Sequence, residues 1–219
     1  MIVRPKVNQF AILFTLKGSI AKRIALRTLM VTLLASAIVL MEMLHPSNFT
    51  KVNATPFTLL GLSLSIFMSF RNNACYDRWY EARKAWGDVL VHIRSVIRET
   101  QVIRESVQRK PLLLNLCGFA HSLNARLRRE SEAAASRAWI TPQHDAQVPD
   151  YSGRILQQVG QQCSDLHQSG ELSEWRYMLL ANHLTSLTQA QAVCERIKNT
   201  PLPFPYTLLL HRTIYLFCI

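Results

Sequence analysis

Residues Ile24 to Leu44 form a predominantly apolar run of 21, with Arg27 near its start and Glu42 near its end. As a helix this run is about 31 Å long. That matches the roughly 30 Å hydrocarbon core of a bilayer, so the run reads as a transmembrane helix. A secretory signal peptide is the main rival. Its apolar core would be shorter, and a small-x-small cleavage pattern would follow it. The chain as a whole is 49% apolar and its mean hydropathy is only slightly positive. Such an average combines lipid-facing segments with a more polar part of the chain.

Charge orients the run. The first 27 residues carry Arg4, Lys6, Lys17, Lys22, Arg23 and Arg27, with no acid, in a chain of net charge +11. Residues 71–200 are close to balanced. A basic segment before the first apolar run is where the positive-inside rule places a cytosolic N-terminus. Residues 45–55 are a polar connector whose only basic residue is Lys51, as expected of an external loop.

Pro56 suits a helix start. The apolar stretch Pro56 to Phe70 has only 15 residues, about 22 Å of helix, which is short for a span. It runs without a breaker into a polar segment rich in Tyr, Trp, Arg and Glu. A helix that begins in the membrane and continues into the cytosol satisfies both features. Residues 88–109 then read as amphipathic helix through Val89, Ile93, Val96, Ile97, Val102 and Ile103. Pro111 reads as the start of another, through Leu112, Leu116, Phe119, Leu123 and Leu127. Glu130 to Gly153 is rich in Ala, Ser, Pro and Asp and reads as a loop. Residues 171–199 read as a helix carrying Trp175, Leu179, Leu184, Leu187 and Val193. No strand pattern and no repeat is evident.

Thr200-Pro-Leu-Pro-Phe-Pro-Tyr206 places three prolines at alternate positions. A helix interior does not tolerate that, so the chain is extended there or entering a new helix. The apolar run from Tyr206 to Ile219 is short for a span and is interrupted by His211 and Arg212. It reads as the beginning of a further membrane segment, incomplete in this chain.

Two stretches carry a family resemblance. One is Phe67-Met-Ser-Phe-Arg-Asn-Asn-Ala-Cys-Tyr-Asp-Arg-Trp-Tyr-Glu-Ala-Arg-Lys-Ala-Trp-Gly87, and the other is Cys194-Glu-Arg-Ile-Lys-Asn-Thr-Pro-Leu-Pro-Phe-Pro-Tyr206. Together with the apolar hairpin ahead of them they resemble the bacterial bestrophin homologues. The resemblance covers the whole chain but only about the N-terminal two thirds of the family pattern, which goes on to a further membrane return and acidic C-terminal helices. It implies an all-α membrane protein, a homopentamer with transmembrane helices and a cytosolic helical bundle. The expected parts are a basic cytosolic segment (1–23), a transmembrane hairpin with the neck helix (24–70), a cytosolic domain (71–200) and the start of another membrane segment (201–219). The expected setting is the cytoplasmic (inner) membrane, crossed more than once, with the N-terminus in the cytosol.

The implied function is passive transport of small monovalent ions, anions by family name or cations as in some bacterial homologues. Leu62, Ile66 and Phe70 stand at the positions of an apolar pore neck. Their spacing of four sets them along one helical stripe, and a ring of such side chains gates ions by dewetting. An apolar stripe packed on another helix or on lipid has the same spacing. Leu202, with Phe204 nearby, is the candidate for a second, cytosolic aperture; a plain breaker between a soluble and a membrane helix gives the same prolines. A different class, a membrane-anchored helical interaction module or an inactive truncated remnant without a pore, fits the same apolar run.

The seven histidines include no i, i+4 pair, and the five cysteines show no paired spacing, so no metal or haem site is expected. No phosphate-binding glycine loop or serine elbow is present. The cluster Arg126, Arg128 and Arg129 reads as a solvated helix end, so no nucleic-acid partner is expected. The eukaryotic calcium clasp of the resembled family lies in its acidic C-terminal part, so no calcium site is implied. No cofactor and no enzymatic activity are expected.

Overall fold

The structure is a computed structural model and describes residues 21–44, 55–103, 106–140, 150–201 and 203–218. Every regular element among them is helical. In chain order they are α1 (Ala21–Leu44), α2 (Thr55–Glu99), a 3-10 turn (Thr100–Val102), α3 (Ser106–Arg128), α4 (Glu132–Ser136), α5 (Tyr151–Gln168), α6 (Glu174–Asn199) and α7 (Phe204–Cys218). The chain divides into two units, Met1–Pro56 and Phe57–Ile219.

The first unit contributes α1. From Ile24 to Leu44 it is long and apolar enough to cross a membrane, with mean hydropathy 2.2 and no residue buried. Its few hydroxyls turn back onto the helix. Thr28, Thr32 and Ser36 donate to the carbonyls of Ile24, Thr28 and Thr32, at 3.1, 2.9 and 2.8 Å. In hydrocarbon an unbonded donor costs several kcal/mol, and this back-bonding removes the cost.

In the second unit α2 is continuous over 45 residues, about 68 Å, with Pro56 in its first turn where a missing N–H is harmless. Ser63 and Ser65 bond back to Leu59 and Gly61, both at 2.9 Å. The first buried residue of α2 is Ala85, followed by Val89, Ser95 and Val96. Buried packing of α2 on the bundle is therefore confined to its last four turns, and no residue of the turns before Ala85 is buried.

The bundle is built on α3, which packs along α5 and against α4, while α5 packs against α6. Leu112, Leu116, Phe119 and Leu123 of α3 close on Ile155 and Val159 of α5 and on Leu180 and Leu187 of α6, all at 0–1% exposure. Each such side chain contributes roughly 1.5–3 kcal/mol by leaving water. Asn115 is buried among them and donates to Gln162 Oε1 at 3.1 Å, so the core holds its polar group satisfied.

Several boundaries differ from the sequence reading. Residues 88–109 are not one helix: α2 ends at Glu99, and Ile103 is extended before α3 begins. The cause is a local cap. The buried Thr100 hydroxyl donates to the Val96 carbonyl at 2.8 Å, and Arg109 reaches back to the Ile97 carbonyl at 3.1 Å. Carbonyls at the end of α2 thus find partners outside the helical ladder. Pro111 does not start α3 but sits inside it, five residues from Ser106. The stretch 130–153 is not all loop. Ser131 caps α4 by accepting from the Ala134 N–H, and Asp150 caps α5 by accepting from Gly153 N–H at 3.0 Å. Helix α5 was missed, although its apolar residues are strongly one-sided. Trp175, at the start of α6, is 73% exposed, whereas Leu187 of the same helix is buried.

Candidate functional site

Leu62, Ile66 and Phe70 lie on the N-terminal half of α2. Each step of four residues advances about 40° around a 3.6-residue helix, so the three drift only slowly around its surface. They are 60%, 46% and 59% exposed in the single chain. Nothing in the bundle covers them, so the folded subunit presents a bare apolar stripe. Below it the same helix carries Tyr76, Trp79 and Tyr80, also exposed. Tyr76 stacks on Tyr80 with centroids 6.3 Å apart, and Arg83 lies over Trp79 at 5.5 Å.

The second candidate element is fixed to the same helix. Arg78 of α2 donates to the backbone carbonyls of Ile197 and Thr200 at the end of α6. Arg196 of α6 pairs with Glu81 of α2. A guanidinium on the terminal carbonyls of a helix satisfies orphan acceptors and meets the negative end of its dipole. The proline segment therefore leaves α6 from a point anchored to α2. Phe204 opens α7 and is 70% exposed, with Pro205 in its first turn. Leu202 lies outside the described residues. The structure brings Leu62, Ile66 and Phe70 onto one stripe and gives no contact between them and Phe204.

The sequence reading missed a polar hub behind this anchor. Arg126 pairs with Glu195 at 2.9 Å, and with Glu132 and Asp150 at 3.3 Å each. Lys198 donates to the Arg126 carbonyl. The hub ties α3, α4, α5 and α6 together immediately before the proline segment. Arg126, read as part of a solvated helix end, is instead three-quarters covered. Only the three-way convergence of acids from distant segments reveals it, and no local motif encodes that. A second missed contact joins His92 of α2 to His183 of α6, Nδ1 to Nδ1 at 3.3 Å.

The described residues offer no activated nucleophile at either candidate element. Burial pushes the Cys163 thiol up to about 11. Burial and the neighbouring Glu195 raise that of Cys194. Protonated thiols of this kind are inert. Among the described residues no group of three or more His, Cys, Asp or Glu is placed to hold a metal ion. What the exposed stripe can do is favour contact with lipid or with another apolar surface over water.

Comparisons with known proteins agree with this architecture. The family model described as Bacterial/Fungal Bestrophin protein matches residues 1–219. A voltage-dependent anion channel-forming protein of Mesorhizobium japonicum is 36% identical over the whole chain and 72% of its own length. The voltage-dependent anion channel-forming protein YneE of Escherichia coli K12 is 34% identical over the whole chain and 73% of its own length. Among solved structures, a bacterial bestrophin homologue from Klebsiella pneumoniae superposes with TM-score 0.80 at 33% identity, over 89% of this chain and 74% of that one. The all-helical fold, the apolar α1, the continuous α2 and the match along the full chain lead to one assignment: this is an all-α membrane protein that belongs to the bacterial and fungal bestrophin family.

Proposed function

We propose that this chain forms an ion channel, a homopentamer in which five copies of α2 surround a central axis. Leu62, Ile66 and Phe70 line its narrow neck, and Leu202 with Phe204 forms a second aperture at the cytosolic end. The observation that carries this reading is the stripe itself: three large apolar side chains remain uncovered on a helix rigidly continuous with a folded domain. A surface of that kind needs either lipid or copies of itself. The relatives are named as channel-forming proteins, which favours the second. Residues 1–23 and 71–200 lie in the cytosol, 24–70 form the membrane hairpin, and 201–219 begin a further membrane segment. The basic N-terminal segment supports a cytosolic N-terminus in the inner membrane.

The relatives' names favour anions as the conducted ions. The local charge favours them too: between Glu42 and Asp77 there is no acidic residue, while Lys51 and Arg71 are basic. The test is the reversal potential of purified protein in a planar bilayer under a salt gradient. Current reversing near the anion equilibrium potential is expected. Reversal near the cation potential would overturn the charge assignment. Silence together with crosslinking that yields only monomers would replace the channel by a membrane-anchored interaction module.

A further inference from the structure

His92 and His183 come from positions 91 residues apart and meet where the docked half of α2 lies against α6. Their rings are tilted by 47° with centroids 5.5 Å apart, and both are half-buried. Within that contact one nitrogen donates and the other accepts. Nothing in the channel reading uses this pair.

We propose that His92 and His183 bind a single divalent transition-metal ion of the zinc type, bridging α2 and α6. Two imidazole nitrogens held at about 2.0–2.1 Å from a tetrahedral ion stand roughly 3.3–3.4 Å apart. The separation found is 3.3 Å, so the pair already has the bite the ion requires. On binding, the donor ring's proton moves from Nδ1 to Nε2, the acceptor ring already carries its proton on Nε2, and both rings ligate the ion through Nδ1 as neutral imidazoles. Imidazole donors select zinc, copper or nickel over magnesium and calcium. No third His, Cys, Asp or Glu completes a ligand set among the described residues. Two coordination positions therefore fall to water, which distinguishes this site from a closed structural zinc centre. A cavity of about 320 Å³ beside His92, lined also by Asp88 and Ser186, gives that water access.

The electrostatics suit a neutral ligand pair. Burial, then His92, hold His183 below its ordinary value, with Arg98 acting in the same direction and Glu99 opposing. Glu99 is itself paired with Arg176 at 3.1 Å. Glu81, Lys84 and Asp88 border the cavity and set the remaining field. An ion here would pin the helix that carries the apolar stripe to the helix that leads into the proline segment. That consequence rests on the channel reading; the site does not.

The experiment is calorimetric titration of zinc into the full-length chain in detergent, stripped of metal by a chelator. A C75S/C117S background removes the exposed thiols as competing ligands. One ion per chain is expected at pH 7.5. Binding should be at least tenfold weaker at pH 5.5, because protons compete for imidazole nitrogen. H92A and H183A should each weaken binding at least tenfold, with helical circular dichroism confirming the fold, and H92N or H183N replaces any variant that fails to fold. Absence of zinc binding in the parent would overturn the proposal, as would affinity within twofold of the parent in both folded variants. Channel current plays no part in this readout, so its outcome is independent of whether the chain conducts.

Discussion

Arg126 offers the sharpest test of how the cytosolic bundle is held. Its guanidinium is 24% exposed and faces Glu132 at 17%, Glu195 at 25% and Asp150 at 57%. A pair at 4 Å gains about 4 kcal/mol at an effective dielectric of 20, before desolvation is counted. The desolvation of both ions offsets much of that, so the net worth of each pair is small. Removal of one partner is different, because Glu132 and Glu195 remain largely covered and lose their cation. Breaking a buried pair costs about 3–5 kcal/mol. Partial exposure here, and the solvent-screened Asp150, bring R126A to about 2–4 kcal/mol. For a domain of this size that is a fall of roughly 4–16 °C in melting temperature. The assay is thermal unfolding in detergent followed by helical circular dichroism. The second arm is R126A combined with E195Q, which removes one stranded charge and should recover about 1 kcal/mol of the loss. A fall below about 2 °C for R126A, or a double variant no better than the single, would refute the hub as an anchor.

Other outcomes follow from single positions. Arg129 follows the end of α3 with φ 63°, and the Glu130 N–H bonds to the Ala125 carbonyl at 2.9 Å. This is a cap geometry that glycine adopts without strain, so R129G should stabilise by about 0.5–1 kcal/mol by the same melting assay. Gly118 lets α3 approach Ile140: a Cβ there would stand 2.6 Å from Ile140 Cγ1. Overpacking of about 1–3 kcal/mol outweighs the helix-propensity gain of about 1 kcal/mol, so G118A should melt lower than the parent. His183 binds protons less readily when folded than its ordinary value of 6.5, so the unfolded chain takes up the proton first. Stability in metal-free buffer is therefore full above about pH 6.5 and declines below it. H183N should flatten that decline in melts compared at pH 7.5 and 5.5.

Much of the fold could be read from local pattern. The run Ile24 to Leu44 was legible from its length and apolar composition, with its only charges, Arg27 and Glu42, near its two ends. The continuity of α2 followed from the absence of any breaker between Pro56 and Glu99. Leu112, Leu116, Phe119 and Leu123 sit at helical spacing and do fill the core. What failed was set by side chains reaching across the chain. The end of α2 depends on Arg109 returning to Ile97, and local spacing through Val102 and Ile103 gives no hint of it. Proline favours first turns, so Pro111 reads as a start, yet α3 begins at Ser106 and carries it in its interior. Helix α5 went unread because the polar loop before it masked its beginning, although Asp150 is a good cap. The stripe Leu62, Ile66, Phe70 was legible as a stripe; its exposure was not, since spacing cannot tell a covered face from a bare one. The hub at Arg126 and the His92–His183 contact arise only from tertiary proximity.

The neck is the part of the molecule on which conduction depends. Single-channel conductance of the L62A/I66A/F70A variant in planar bilayers, against the parent in the same salt, measures it most directly. Removing three bulky apolar side chains widens and wets the constriction, so conductance should rise severalfold while the helical circular dichroism and the oligomeric state stay unchanged. Conductance equal to the parent's, in a variant shown to assemble, would place the ion path elsewhere and contradict the assignment of α2 to the pore.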